Sequence, residues 1–467
     1  MRLKAASYWD ALSSSYWFVP ALMTLGAIVL SFVLVRVDQQ NELNWLRDLG
    51  FVFLNQPDGA RSLLSTVAGA LIGVAGTTFS ITLAVLTLTS SQFGPRLLNT
   101  FMHDRGNQVV LGTFVATSLY CLLVLRTVRD ASETVGPAFV PHLAVTVAVL
   151  FTVLSLAVFI YFIHHTADSV QVATILKRIT ADLEKLISER YAEGAGGDGL
   201  PEPRLVPPPV HAGTVLTATG SGYLQTVDEA GLLAFAAKHR VLVRSLHRPG
   251  TFVIEGHPLA HLWPDEALTG RGPDPQSLGR NPPDSKTPDP KTLDRLRANF
   301  TLGSRRTAVQ DLDFLFDQLT EVALRALSPG INDPVTAMRC VDRIGQGLNQ
   351  LAARRPPPAV RRDETGRPRV VLPEADIARL VANTLGAIRR FSGDNLLVAL
   401  HLLGTIGALL ENTDDVPLKR ALLREAELIC ETAKPVLIGP DYRRLEAHYR
   451  AAITANTSIP ETLPETR

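Results

Sequence analysis

Charge is missing where the chain is most apolar. Between Arg61 and Arg96 there is no Asp, Glu, Lys or Arg. A proton-coupled pump carries an ionisable group inside its span, so this stretch does not read as part of one. Cysteine is scarce as well. Cys121, Cys340 and Cys430 stand far apart and form no CxxC pair. That argues against a disulfide framework or a zinc knuckle and suits a reducing compartment. Net charge is nearly absent: 46 basic against 45 acidic residues leave +1. No global basic field invites nucleic acid. Catalytic signatures are lacking too, with no GxSxG, HExxH, Walker or paired-carboxylate pattern. Gly220-Ser221-Gly222 is not GxGxxG, because Gln225 stands where the third glycine belongs. The chain is therefore expected to be no enzyme, with no cofactor and no metal.

What is present divides the chain in two. Residues 1–165 are very apolar and the rest is charged. The first apolar run, Tyr16 to Val35, ends at Arg36-Val37-Asp38 and lacks a small-residue cleavage site, so it reads as a span rather than a signal peptide. The charge-free run after Arg61 is the second span. The third covers Val109 to Leu125, and the fourth about Ala138 to Ile163. The fourth is expected to continue as one rigid helix over 166–193, where Val172, Ile175, Leu176, Ile179, Leu183, Leu186 and Ile187 keep a helical stripe. Four spans put both termini on one side. Arg2, Lys4, Arg96, Arg105, Lys177, Arg178 and Lys185 favour a cytoplasmic side for them.

Past a Gly/Pro-rich linker at 194–209, short β-rich runs over 210–265 predict a small β-barrel or sandwich-like module. Residues 266–292 read as a disordered Pro/Gly-rich insertion, 293–456 as an all-α domain, and 457–467 as a loose tail. Arg354 to Arg369 reads as a basic, proline-rich loop. The fold class is an α-helical integral membrane protein with four transmembrane helices, that β module and that C-terminal domain.

Several segments together resemble a known family. They are SSQFGPRLL after the second span, FIHHTADSVQ at the end of the fourth, SGYLQTVD, RTAVQDLDF and ALSPGINDPVTA. The chain is similar to bacterial predicted membrane proteins classed as a domain of unknown function, over nearly its whole length apart from about 270–290. The resemblance implies four spans and a bacterial inner-membrane address, and it implies no activity.

Three groups of residues stand out. The second span carries Gly69, Gly73, Gly76, Thr77, Ser80 and Thr87 at helical spacing, a face suited either to close helix packing or to lining a pore. Gln92, Arg96, His164, His165 and Asp168 lie at the ends of the second and fourth spans, where the membrane part would couple to the rest. Arg306, Asp311, Ser328, Asn332 and Asp333 mark a structural turn or a ligand loop. Asp313, Asp317 and Glu321 repeat every four residues, as a solvated helix face or a divalent-ion ladder. The best functional expectation is an oligomeric channel or transport-type pore regulated by a cytoplasmic domain. The alternative is a non-conducting scaffold or sensor. Expected partners are the lipid bilayer and further copies of the chain, with a cytoplasmic protein or small ligand left open.

Overall fold

The computed structural model describes residues 17–40, 56–93, 105–130, 139–169, 171–193, 213–265, 289–392 and 394–454. Two compact units divide it, Met1–Ile175 and Leu176–Arg467. The linker, most of the insertion and the tail expected from sequence lie outside the described residues.

Among the described residues, the first unit contains four helices long and apolar enough to cross a membrane: α1 (Phe18–Gln39), α2 (Pro57–Phe93), α3 (Arg105–Leu125) and α4 (His142–Ser169). The third is the hub. Buried positions make up 67% of its apolar stretch, against 22%, 11% and 22% in α1, α2 and α4. Phe114, Tyr120, Cys121 and Val124 fill the space between the others. Gly112 sets the approach of α1: a Cβ there would stand 2.6 Å from Met23 Sδ and 3.1 Å from Pro20 Cα. Small residues at such a crossing let backbones close on one another. Polar contacts fix one end of the bundle. The Asp38 carboxylate accepts the amides of Leu143 (3.1 Å) and Ala144 (3.0 Å) at the start of α4. The Tyr120 hydroxyl donates to Ala144 O at 2.9 Å, and Arg61 Nη2 to Val128 O at 3.2 Å. Without water, backbone groups at a helix start need such partners.

The fourth span does not run on as one helix. It ends at Ser169, and α5 (Val172–Arg190) begins separately. The reason is a change of periodicity. α4 is apolar on all sides, whereas α5 carries one stripe. From Leu176 onward that stripe is buried in the second unit, where a Cβ on Gly347 would meet Leu183 Cδ2 at 2.5 Å. Gln346 Nε2 also donates to Glu184 Oε1 at 2.6 Å.

In the second unit β1 (Ala192–Glu193) pairs with β8 (Arg354–Arg355). A five-stranded sheet has the order β2-β6-β4-β10-β9, from β2 (Thr214–Thr217), β6 (Pro258–Pro264), β4 (Val241–Ser245), β10 (Pro368–Val371) and β9 (Val360–Arg362). A second sheet orders β5 (Phe252–Val253), β3 (Gly222–Val227) and β7 (Phe300–Gly303). Both sheets, with α6 (Glu229–His239) and α7 (Pro290–Arg297), share one core around Leu216, Leu224, Leu232, Val243, Leu262 and Val370. Neither sheet closes among the described residues, so of the expected barrel or sandwich-like module the barrel is not formed.

The C-terminal part is not all-α either. Its β10 enters the sheet parallel to β4, with Val370 opposite Val243. With β8 and β9, the start of β10 falls in Arg354 to Arg369, the segment read as a loop. Their arginines disguised them: Arg369 is 4% exposed because Asp265 and Asp363 both pair with it. Among the described residues, six further helices follow: α8 (Leu312–Ala326), α9 (Pro334–Ala352), α10 (Ile377–Phe391), α11 (Leu396–Asn412), α12 (Val416–Ala433) and α13 (Gly439–Thr454). Asp or Asn side chains cap α8 to α12 at their N-termini.

Candidate functional site

On α2 two stripes run on opposite faces. Ala60, Leu64, Ala68, Ala75 and Thr78 are buried. At about 100° per residue, Gly69, Gly73, Gly76, Thr77, Ser80 and Thr87 fall on the far side. They are exposed, and a Cβ built on any of the three glycines meets no heavy atom within 4 Å. No described residue of this chain packs on that face. The hydroxyls turn inward along the helix: Thr77 donates to Gly73 O (3.0 Å), Ser80 to Gly76 O (3.0 Å) and Thr87 to Leu83 O (2.9 Å).

The expected coupling residues are only partly visible. Arg96 and the side chain of Gln92 lie outside the described residues. His164 Nε2 is 3.3 Å from Asp168 Oδ2, with both side chains exposed. His165 stacks on Tyr161 at 5.2 Å between ring centroids. Asp168 also accepts from Gln171 Nε2 at 3.2 Å, in the break between α4 and α5.

The turn residues separate into two places. Arg306 grips Asp311 through Nε (2.7 Å) and Nη2 (2.9 Å), and Asp317 through Nη1 (2.6 Å). Asp311 is 2% exposed and caps α8 by accepting the Phe314 amide at 3.0 Å. Burial works against the Arg306 charge, but the two carboxylates outweigh it and hold its pKa above the ordinary value. Gly250, at φ +94°, passes so close that a Cβ would stand 2.1 Å from Asp311 Oδ2. The other place is the start of α9. Asp333 accepts from Thr336 N (3.0 Å) and Thr336 Oγ1 (2.6 Å), and these bonds lower its pKa despite some burial. Asn332 takes a left-handed φ of 48°, and Ser328 bonds Arg325 O at 2.6 Å. Both places are helix starts held by side chains.

The acidic ladder of α8 is bound up in ion pairs. Asp313 faces Arg248 and Arg379, Asp317 faces Arg306, and Glu321 faces Arg325. Among the described residues no group of three or more His, Cys, Asp or Glu side chains is placed to hold a metal.

Sequence reasoning missed a cleft in the second unit. Its volume is about 410 Å³. The end of α5, the Pro356–Pro358 turn and the starts of α10 and α12 line it. Leu348, Leu351 and Leu372 form an apolar wall, and Arg190, Arg248, Arg354 and Arg361 contribute guanidinium groups. Glu229 is held between Arg190 and Arg361. Burial raises its pKa, but the bonds and charges of those arginines win and lower it below the ordinary value. Burial pushes the Tyr191 phenol up, opposed by Arg248 and helped by Asp313. A mostly apolar cavity with a few convergent polar groups is the usual form of a small-molecule site. The signal in sequence was the run Arg354-Arg355-Pro356-Pro357-Pro358, whose loop-like composition hid its place in the fold.

Comparison with known proteins agrees with the four apolar helices. Residues 13–408 match the family described as predicted membrane protein (DUF2254). The uncharacterized protein MT1328 of Mycobacterium tuberculosis (strain CDC 1551 / Oshkosh) is 33% identical over 459 residues, covering 97% of this chain and 83% of its own. The uncharacterized protein Mb1321c of Mycobacterium bovis gives the same identity and coverage. No solved structure gives a significant match. The chain belongs to the DUF2254 family of predicted membrane proteins.

Proposed function

We propose that the protein is an oligomeric channel or transport-type pore of the bacterial inner membrane, regulated by its C-terminal unit on the cytoplasmic side. One observation carries this reading. The Gly69–Thr87 face of α2 is free of charge, built of small and hydroxyl residues, and covered by nothing described in its own chain. A helix facing only lipid has no need of such a surface, whereas helices meeting around an axis do. At 37 residues α2 is about 55 Å long, well beyond the ~30 Å hydrocarbon layer. It therefore has length to line a path and emerge from it. We assign no catalytic step.

A second reading has an observation of its own. The hydroxyls of Thr77, Ser80 and Thr87 are spent on their own backbone carbonyls. That suits a dry contact between copies in a non-conducting scaffold or sensor. Ion flux through proteoliposomes separates the two readings, using wild type and Gly73→Trp. In a pore the variant assembles and loses flux. In a scaffold it loses assembly, and no flux is present to lose. Wild-type protein that stays monomeric and conducts nothing refutes the channel.

A further inference from the structure

The arginines of the cleft in the second unit are unevenly partnered. Arg190, Arg248 and Arg361 keep only 29%, 20% and 20% of their side chains exposed. Half-buried guanidinium groups need anions to replace lost hydration. Two carboxylates serve them. Glu229 is shared by Arg190 and Arg361, and Asp313 by Arg248 and the more exposed Arg379. The Arg248 contacts are long, at 3.3 and 3.5 Å. Arg354 donates Nη1 to Tyr191 O at 3.0 Å and forms no ion pair among the described residues. The remaining acidic lining groups, Glu374, Asp376 and Asp415, are all exposed. Asp376 accepts the Arg379 amide (2.9 Å) and Asp415 the Leu418 amide (2.7 Å), so both are committed to helix starts. Of the four cleft arginines, Arg190 and Arg361 thus share Glu229, Arg248 has only long contacts to Asp313, and Arg354 has a carbonyl.

Tyr191 joins the two under-neutralised arginines. Its carbonyl takes Arg354, and its phenol feels the charge of Arg248. Leu348, Leu351 and Leu372 line the same cleft. We infer that this cleft binds a small organic phosphate, its phosphate on Arg248 and Arg354 and its apolar body on the leucine wall. A phosphomonoester, which carries about −1.5 to −2 at neutral pH, would give Arg248 and Arg354 a close anionic partner in place of long contacts and a carbonyl. The planar guanidinium fork fits phosphate oxygens in pairs. A volume of about 410 Å³ holds such a group together with an organic body. The inference concerns the second unit alone and stands apart from whether α2 conducts.

The test is calorimetric titration of the full-length protein in detergent. The probes are the four 5′-ribonucleoside monophosphates, the matching nucleosides, inorganic phosphate and dihexanoyl phosphatidic acid. At least one phosphate ester is expected to bind saturably, and its uncharged counterpart about tenfold more weakly or not at all. Arg354→Gln and Arg248→Gln should each weaken it by about tenfold, and Glu374→Gln should not. If Arg354→Gln fails to fold by circular dichroism, Arg248→Gln carries the test. Nucleotide binding supports the inference with a soluble ligand, and binding of phosphatidic acid alone supports it with a lipid headgroup. No binding of any probe at about 1 mM overturns it. So does binding that both variants leave unchanged, or inorganic phosphate binding as tightly as the esters.

Discussion

Asp311 offers the sharpest test of how the second unit is held together. Its carboxylate has two tasks, capping α8 at Phe314 N and receiving two bonds from Arg306. Replacing it with alanine removes both. The lost cap costs about 1 kcal/mol. The uncompensated charge costs more: breaking a buried pair by deleting one partner costs about 3–5 kcal/mol. Arg306 keeps Asp317 at 2.6 Å, which returns part of that. The sum for Asp311→Ala is about 3–4 kcal/mol. Two controls divide it. Asp311→Asn retains a capping oxygen and loses the charge, so it should cost about 2–3 kcal/mol. Asp317→Ala leaves the two-bond Asp311 grip intact and removes a group that is 29% exposed, so it should cost about 1 kcal/mol or less. Trp263, on β6 in the same unit and 1% exposed, reports urea unfolding by fluorescence once Trp9, Trp17 and Trp45 are replaced by Phe. Equal losses for Asp311→Ala and Asp317→Ala, or a wild-type midpoint for Asp311→Asn, would refute the reasoning.

Glycines in the membrane unit should divide cleanly. Gly112→Ala drives a methyl toward Pro20 Cα and should cost about 1–3 kcal/mol, read as a lowered melting temperature in detergent. Gly73→Ala in a dispersed monomer meets no atom within 4 Å and should leave that temperature unchanged or slightly raised. Acid sensitivity should trace to Glu229. Its folded-state pKa lies below the ordinary 4.5, so its stabilisation is complete above that pH and drains away as pH falls through the depressed value. Glu229→Gln should therefore flatten the acid limb of a stability–pH curve. An unchanged limb would show that Glu229 gains nothing from Arg190 and Arg361.

The membrane helices were legible because their signal is local. About twenty apolar residues in a row suffice, and no knowledge of neighbours is required. The helical character of 293–456 was legible as a whole, and two of its helix starts carry punctuation in the sequence. Asp333-Pro334 and Asn395 announce the starts of α9 and α11, where their side chains accept the amides of Thr336 and Val398. Contacts between distant segments were not legible. The partner of Val370 is Val243, more than a hundred residues earlier, and no periodicity carries that pairing. The arginines of β9 and β10 suggest a solvated loop until Asp265 and Asp363 are brought beside Arg369. The break between α4 and α5 was hidden because an apolar helix followed by an amphipathic one reads as continuous. The cleft escaped for the same reason as the strands, since Arg190, Glu229 and Arg361 meet only in the fold.

The central claim concerns what covers the open face of α2. A structure of the protein assembled in a lipid nanodisc tests it most directly. The account predicts several copies around one axis, with Gly69, Gly73 and Gly76 of neighbouring α2 helices turned toward that axis. A monomer whose Gly69–Thr87 face lies against lipid would contradict it.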